Sequence, residues 1–87
     1  MAFKLVLTTQ AEKDLRSLDH AVARRIVHKL VWLGKQSNPS AFAKRLREPA
    51  AGDVRFRVGD YRLIGIVNAS AKRIEIVKIG HRREIYL

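Results

Sequence analysis

A chain of 87 residues with 18 Lys and Arg against eight Asp and Glu carries a net charge of +10, which points to nucleic acid, an anionic membrane or an acidic protein as partner. One domain over residues 1–87 is expected, burying about 60 to 65% of its unfolded surface, so the core is thin. With 47% apolar residues, no cysteine and no long uncharged run, the composition excludes disulfides, thiolate catalysis, cysteine zinc sites and a membrane-spanning helix. "MAFKLVLTT" also lacks the basic start, longer apolar stretch and small-residue cleavage site of a secretory signal, so a soluble cytoplasmic protein is expected.

In chain order, "FKLVLT" (3–8) reads as a strand. A helix follows at once, with Thr9 and Glu12 in the form of a capping box and Ala11, Leu15 and Leu18 on one face. "LDHA" (18–21) breaks it. Val22, Ile26, Leu30 and Leu33 then share one arc of a second helix, ended by Gly34 and "SNP" (37–39), so the two form a helical hairpin. "SAFAKRLREPAAG" (40–52) reads as a loop with one anchored face and a helical turn around Phe42 to Leu46 before Pro49 extends the chain. From Val54 the apolar period becomes two. Val54, Phe56 and Val58 alternate with Arg55 and Arg57, a "GD" turn follows, and a second strand runs from Tyr61 to about Val67. "NASAK" (68–72) is a further turn, "RIEIVKI" (73–79) a third strand, and "GHRREIYL" ends the chain.

These elements predict an α+β fold: an N-terminal strand, a two-helix hairpin and an antiparallel meander, with the helices on one sheet face. A two-residue turn at Gly59 and Asp60 pairs Val58 with Tyr61 and Arg57 with Arg62. Val54, Phe56, Val58, Tyr61, Leu63 and Val67 then lie under the helices, and Arg55, Arg57 and Arg62 share the opposite face. Like charges opposed across a sheet destabilise it, so an anion is expected to complete that face, and nucleic-acid phosphate suits the net charge.

"RVGDYRLI" (57–64) and "KIGHRREIY" (78–86), preceded by "AKRLREP" (43–49) and the strand plus hairpin, resemble the RelE/ParE toxin superfamily over nearly the whole chain. The resemblance implies a two-layer RelE-like fold whose first strand lies beside the C-terminal one. It implies one of two activities: cleavage of messenger RNA in the ribosomal A site, or poisoning of DNA gyrase without RNA cleavage. In the RNA-cleaving branch the paired basic positions fall on Arg55 and Arg57, the arginine after the tyrosine on Arg62, the late arginine on Arg82 and the terminal tyrosine on Tyr86. Gyrase poisons usually lack this full set, which favours the nuclease. The best-known family members carry lysine where Arg55 and Arg57 stand, and guanidinium is a poorer proton acceptor, so the resemblance leaves the general base open. It also implies a cognate acidic, RelB-like antitoxin that folds around the toxin.

Cleavage of RNA by its own 2′-hydroxyl requires that oxygen aligned and deprotonated, the phosphorane dianion stabilised and the departing 5′-oxygen protonated. Arg62 and Arg82 suit bidentate contact with phosphate oxygens, Arg57 adds charge, and Tyr86 suits positioning or deprotonating the 2′-hydroxyl or stacking on a base. His81 is a candidate proton-transfer group, although alternation directs it away from Arg82. Lys44, Arg45, Arg47, Arg55 and Arg83 either contact RNA phosphate or solvate the surface. Trp32 falls with Arg25 and His28 on the polar flank of the second helix, so either the first helix covers it or the three belong to an antitoxin-binding surface. No His or carboxylate stands at metal spacing from His20 or His28, and neither metal nor cofactor is expected. Three classes remain open: an RNA-cleaving toxin, a gyrase inhibitor, and a basic RNA-binding module without catalysis.

Overall fold

The structure, a computed structural model, describes residues 3–46 and 53–85. The chain runs β1 (Lys4–Leu7), α1 (Thr9–Arg16), α2 (His20–Gly34), a 3-10 turn (Pro39–Phe42), β2 (Lys44–Arg45), β3 (Val54–Val58), β4 (Tyr61–Asn68) and β5 (Arg73–His81). The sheet order is β1-β5-β4-β3-β2. β1 pairs parallel with β5 and every other neighbour is antiparallel.

The helices start where side-chain acceptors can hold their first amide groups. Thr8, not Thr9, caps α1: its hydroxyl accepts from Ala11 N at 3.1 Å, and no capping box forms with Glu12. The same hydroxyl donates to Val77 O at 3.0 Å, so the cap also ties the helix to β5. The sequence reading placed the cap one residue too late, and the bond from Ala11 N identifies Thr8. Asp19 caps α2 through Ala21 N at 3.3 Å, which places the break between the helices where the sequence put it.

Both helices cover one sheet face. Ala11, Ile26, Leu30 and Leu33 meet Phe56, Leu63, Ile74, Ile76 and Ile79, with Phe3 at one end. Burial of each large side chain here stabilises by about 1.5–3 kcal/mol. The segment read as a helical turn around Phe42 to Leu46 is instead a 3-10 turn that starts at buried Pro39, followed by the short edge strand β2. Proline at the first position fixes φ without losing a needed amide, and Lys44 and Arg45 then pair with Arg55 and Val54. Two basic residues carry no readable period, so this fifth strand left no trace in the pattern.

β5 contains a bulge. Ile64 pairs with Lys78 and Gly65 with Ile76, which leaves Val77 as an extra residue whose carbonyl takes the Thr8 hydroxyl. An extra residue reverses the alternation beyond it. Before the bulge Ile74 and Ile76 face the helices; after it Ile79 and His81 do, and Lys78, Gly80 and Arg82 turn to the other side. The three-residue step from Ile76 to Ile79 is the trace this leaves in the sequence.

Candidate functional site

The predicted hairpin register holds: Val58 pairs with Tyr61, and Arg57 with Arg62. Continuing the pairings outward puts Lys44 on the same face as Arg55, and Lys78 and Gly80 on the same face as Ile64 and Arg62. The sheet side without helices is therefore strongly cationic. Ile64 lies within it only 2% exposed. Its cross-strand neighbours are Arg55 and Lys78, whose long aliphatic stems suit such cover.

The opposed arginines are relieved from within the turn. Gly59 adopts φ +58, a left-handed conformation that glycine takes at little cost, and its carbonyl oxygen is turned toward both side chains. Arg62 Nη1 donates to it at 3.0 Å and Arg57 Nε at 3.4 Å, while Arg62 Nη1 also donates to Tyr61 O at 3.1 Å. One carbonyl thus holds two guanidinium groups side by side. A third guanidinium, from Arg25 on α2, approaches Gly59 from elsewhere: a Cβ on Gly59 would lie 2.9 Å from Arg25 Nη2.

Arg82 reaches the same end of the sheet. Its amide donates to Asp60 O at 2.8 Å, which continues the β4–β5 ladder into the turn, and its Nε lies 3.8 Å from Asp60 Oδ1. Both side chains are more than half exposed, so the ion pair orients Arg82 more than it stabilises the fold. Beyond Arg82 the chain turns back. Ile85 packs against Gly80 so closely that a Cβ there would meet Ile85 Cδ1 at 3.0 Å, and Lys78 Nζ donates to Ile85 O at 3.4 Å.

Between the 3-10 turn and the arginines lies a concavity of about 410 Å³, lined by Lys44, Arg55, Arg57 and Arg62 together with Phe42 and its flanking alanines. Four cationic side chains around one hollow have the chemistry to hold an anion such as a nucleotide phosphate. The structure brings together Arg55, Arg57, Arg62 and Lys44, with Arg82 at the adjoining turn. It separates His81, which pairs with Tyr61 on the helix side, its ring 5.4 Å from the tyrosine ring at 82°. His81 Nδ1 accepts from Arg83 N at 3.1 Å, a tail-ordering role that leaves the imidazole on the wrong face for the arginines. The bulge is the reason. Arg45 alternates with Lys44 onto the helix side, and Arg83 is exposed in the terminal turn. Arg47 and Tyr86 lie outside the described residues.

The three residues grouped on the flank of α2 also divide. His28 lines an apolar groove between the helices, formed by Leu15, Leu18, Ala23 and Val27 and rimmed by Arg16, His20 and Arg24. Arg25 and Trp32 lie on the opposite flank. Trp32 is covered in part by Phe42, with ring centroids 4.7 Å apart at 70°, and by the Lys29 ammonium 4.6 Å from its ring centroid, and not by α1 as one sequence reading had it. Phe42 is the site residue that sequence reasoning missed. An aromatic next to "KR" in a loop was a signal, but only the fold places it beside Arg57 and Arg62.

The chain and its fold have counterparts among known proteins. The family model described as ParE toxin of type II toxin-antitoxin system, parDE, matches residues 5–86. Toxin RelE of Mycobacterium tuberculosis is 30% identical over 84 residues, covering 97% of this chain and 86% of that protein. Toxin RelG of the same organism is 28% identical over 86 residues, covering 99% and 98%. The crystal structure of the toxin-antitoxin complex RelBE2 from Mycobacterium tuberculosis matches with a TM-score of 0.83 at 26% identity, over 94% of this chain and 100% of the matched one. The archaeal RelE-RelB complex from Pyrococcus horikoshii OT3 matches with a TM-score of 0.77 at 32% identity, over 97% and 99%. Sequence and backbone agree along nearly the full length of the domain, and the chain belongs to the RelE/ParE superfamily of toxins from type II toxin-antitoxin systems.

Proposed function

We propose that this toxin is a metal-independent endoribonuclease that cleaves messenger RNA in the ribosomal A site and so stops translation in the cytoplasm. The observation that carries the reading is the concavity around Arg57 and Arg62, where opposed guanidinium groups are held side by side on the sheet face away from α1 and α2. In this reaction the 2′-oxygen attacks the adjacent phosphorus, the bond to the 5′-oxygen breaks, and a 2′,3′-cyclic phosphate and a 5′-hydroxyl result. Arg62 and Arg82 bind the non-bridging oxygens as their charge rises, and Arg57 and Arg55 add field without moving. A proton must leave the 2′-hydroxyl and another must reach the 5′-oxygen. Tyr86 is the residue assigned to the 2′-hydroxyl, and Ile85 just before it is anchored against Gly80, the cross-strand partner of Arg62. His81 has no part in this scheme.

The two solved relatives named above are a toxin-antitoxin complex, RelBE2, and an archaeal RelE-RelB complex, and a cognate acidic antitoxin is the partner proposed here. The groove between α1 and α2 suits an amphipathic acidic helix: its floor is apolar and its rim carries Arg16, Arg24, His20 and His28. Arg25 and Trp32, on the far flank, contribute only if the antitoxin wraps around α2.

The test is a translation extract read by primer extension. Wild-type protein should cut within translated message, and Arg62→Ala and Arg82→Ala should each cut about tenfold to a thousandfold more slowly while melting cooperatively. Uncut message together with impaired supercoiling by gyrase would replace this reading with that of a gyrase inhibitor. Binding without either effect would leave a basic RNA-binding module.

A further inference from the structure

We propose that Phe42 is the base-stacking platform of the arginine site, so that one unpaired RNA nucleotide binds with its base on the Phe42 ring and its phosphate on Arg55, Arg57 and Arg62. This inference rests on the RNA-cleaving reading and adds the half of the nucleotide that the arginines do not address.

Phe42 is 48% exposed and lies on the wall of the 410 Å³ concavity otherwise lined by cations and small alanines. What sets this ring apart from other exposed apolar side chains is the company of Lys44, Arg55, Arg57 and Arg62 in the same hollow. Its mount is rigid. The 3-10 turn begins at buried Pro39 and closes through Ala41 N to Asn38 O at 3.1 Å and Ala43 N to Ser40 O at 3.2 Å. Ala43 packs against the core, and Lys44 enters the sheet immediately afterwards. Trp32 meets the ring at 70° rather than lying flat on it, which fixes its position and still leaves half of it accessible. A flat ring fixed beside three guanidinium groups matches the two chemistries of a nucleotide, a π face and an anion. Stacking of this kind tolerates any base, because every base has a π face. A protein partner is less well matched here, since an apolar groove with a basic rim lies on the other side of α2.

The chain contains a single tryptophan, and it touches Phe42, so Trp32 emission reports events at that ring. The probes are an uncleavable 2′-O-methyl trinucleotide, the same backbone with its central base removed, and inorganic phosphate. Affinity is read by anisotropy of labelled oligonucleotides and local contact by Trp32 emission. The intact trinucleotide should change Trp32 emission and the abasic one should not. Phe42→Ala should weaken binding of the intact probe by about fivefold to a hundredfold, Phe42→Tyr should retain it, and the abasic probe should bind wild type and Phe42→Ala alike. If both probes bind through Arg62 but Phe42→Ala has no effect, stacking is refuted and the arginine site stands. If neither probe depends on Arg55, Arg57 or Arg62, the RNA reading fails as well. Loss of antitoxin binding by Phe42→Ala with RNA affinity intact would reassign the ring to a protein interface and overturn the proposal.

Discussion

Arg57 and Arg62 face each other across two strands, a juxtaposition that costs about 0.2–1 kcal/mol in an antiparallel pair. The sequence showed that cost, because a two-residue turn fixes the register. It could not show the remedy, since whether a carbonyl turns toward a guanidinium depends on the turn's dihedral angles. With both arginines bonded to Gly59 O, Arg62→Gln exchanges relieved repulsion for lost hydrogen bonds of similar size. Its melting temperature in chloride should stay close to wild type. Phosphate should raise the wild-type midpoint more than chloride does at equal ionic strength, and Arg62→Gln should lose that increment. An equal phosphate response in both proteins would remove Arg62 from the anion site. Gly59→Ala tests the turn. A side chain at φ +58 should cost about 1–2 kcal/mol in denaturant unfolding, and the beta carbon also displaces Arg25. Cleavage should fall beyond what the stability loss explains, because the carbonyl that aligns two arginines moves.

The strand carrying Gly80 and Arg82 is aimed by contacts outside the face it serves. β1 pairs with β5 only as far as Leu7 opposite Ile76, so among the described residues no strand pairs with that edge of the second half of β5. Asp14 of α1 fills part of it: Oδ2 accepts from Ile79 N at 2.9 Å, and Oδ1 accepts from Gln10 Nε2 at 2.7 Å. A hydrogen bond to a charged acceptor contributes about 1.5–3 kcal/mol. Asp14→Ala should therefore speed hydrogen exchange at Ile79 by an order of magnitude or more and slow cleavage, while amides of β3 keep their protection. Unchanged exchange at Ile79 would show that the bulge and Thr8 suffice. Legibility at this scale followed periodicity. The two helices and the β3–β4 hairpin were readable from apolar spacing. The edge strand at Lys44 and Arg45 was too short to have a period, and the bulge was visible only as the three-residue step from Ile76 to Ile79. Missing it left the side taken by His81 undecided between a proton-transfer role and a place behind the sheet.

The molecule as a whole separates an apolar groove on the helices from a cationic hollow on the bare sheet. If four cations neutralise RNA phosphates in that hollow, log affinity for single-stranded RNA should fall with log salt at a slope of about −3, from about −0.7 per phosphate. Arg57→Ala should make the slope shallower by roughly one phosphate's share. A slope near zero would mean that the hollow does not bind the backbone.

β5 lies inside the sheet between β1 and β4, supplies Ile74, Ile76 and Ile79 to the core, and carries the end of the arginine face. Among the described residues it is also the last strand in chain order. A nascent chain therefore exposes β1, both helices and the β3–β4 hairpin while the strand that joins them is still being made, and long-range pairing of this kind is slow to form. The fold is therefore expected to stay incomplete until β5 has been made. The arginine face is expected to be complete only after β5 closes the sheet, and the time this takes is an interval open to a protective partner.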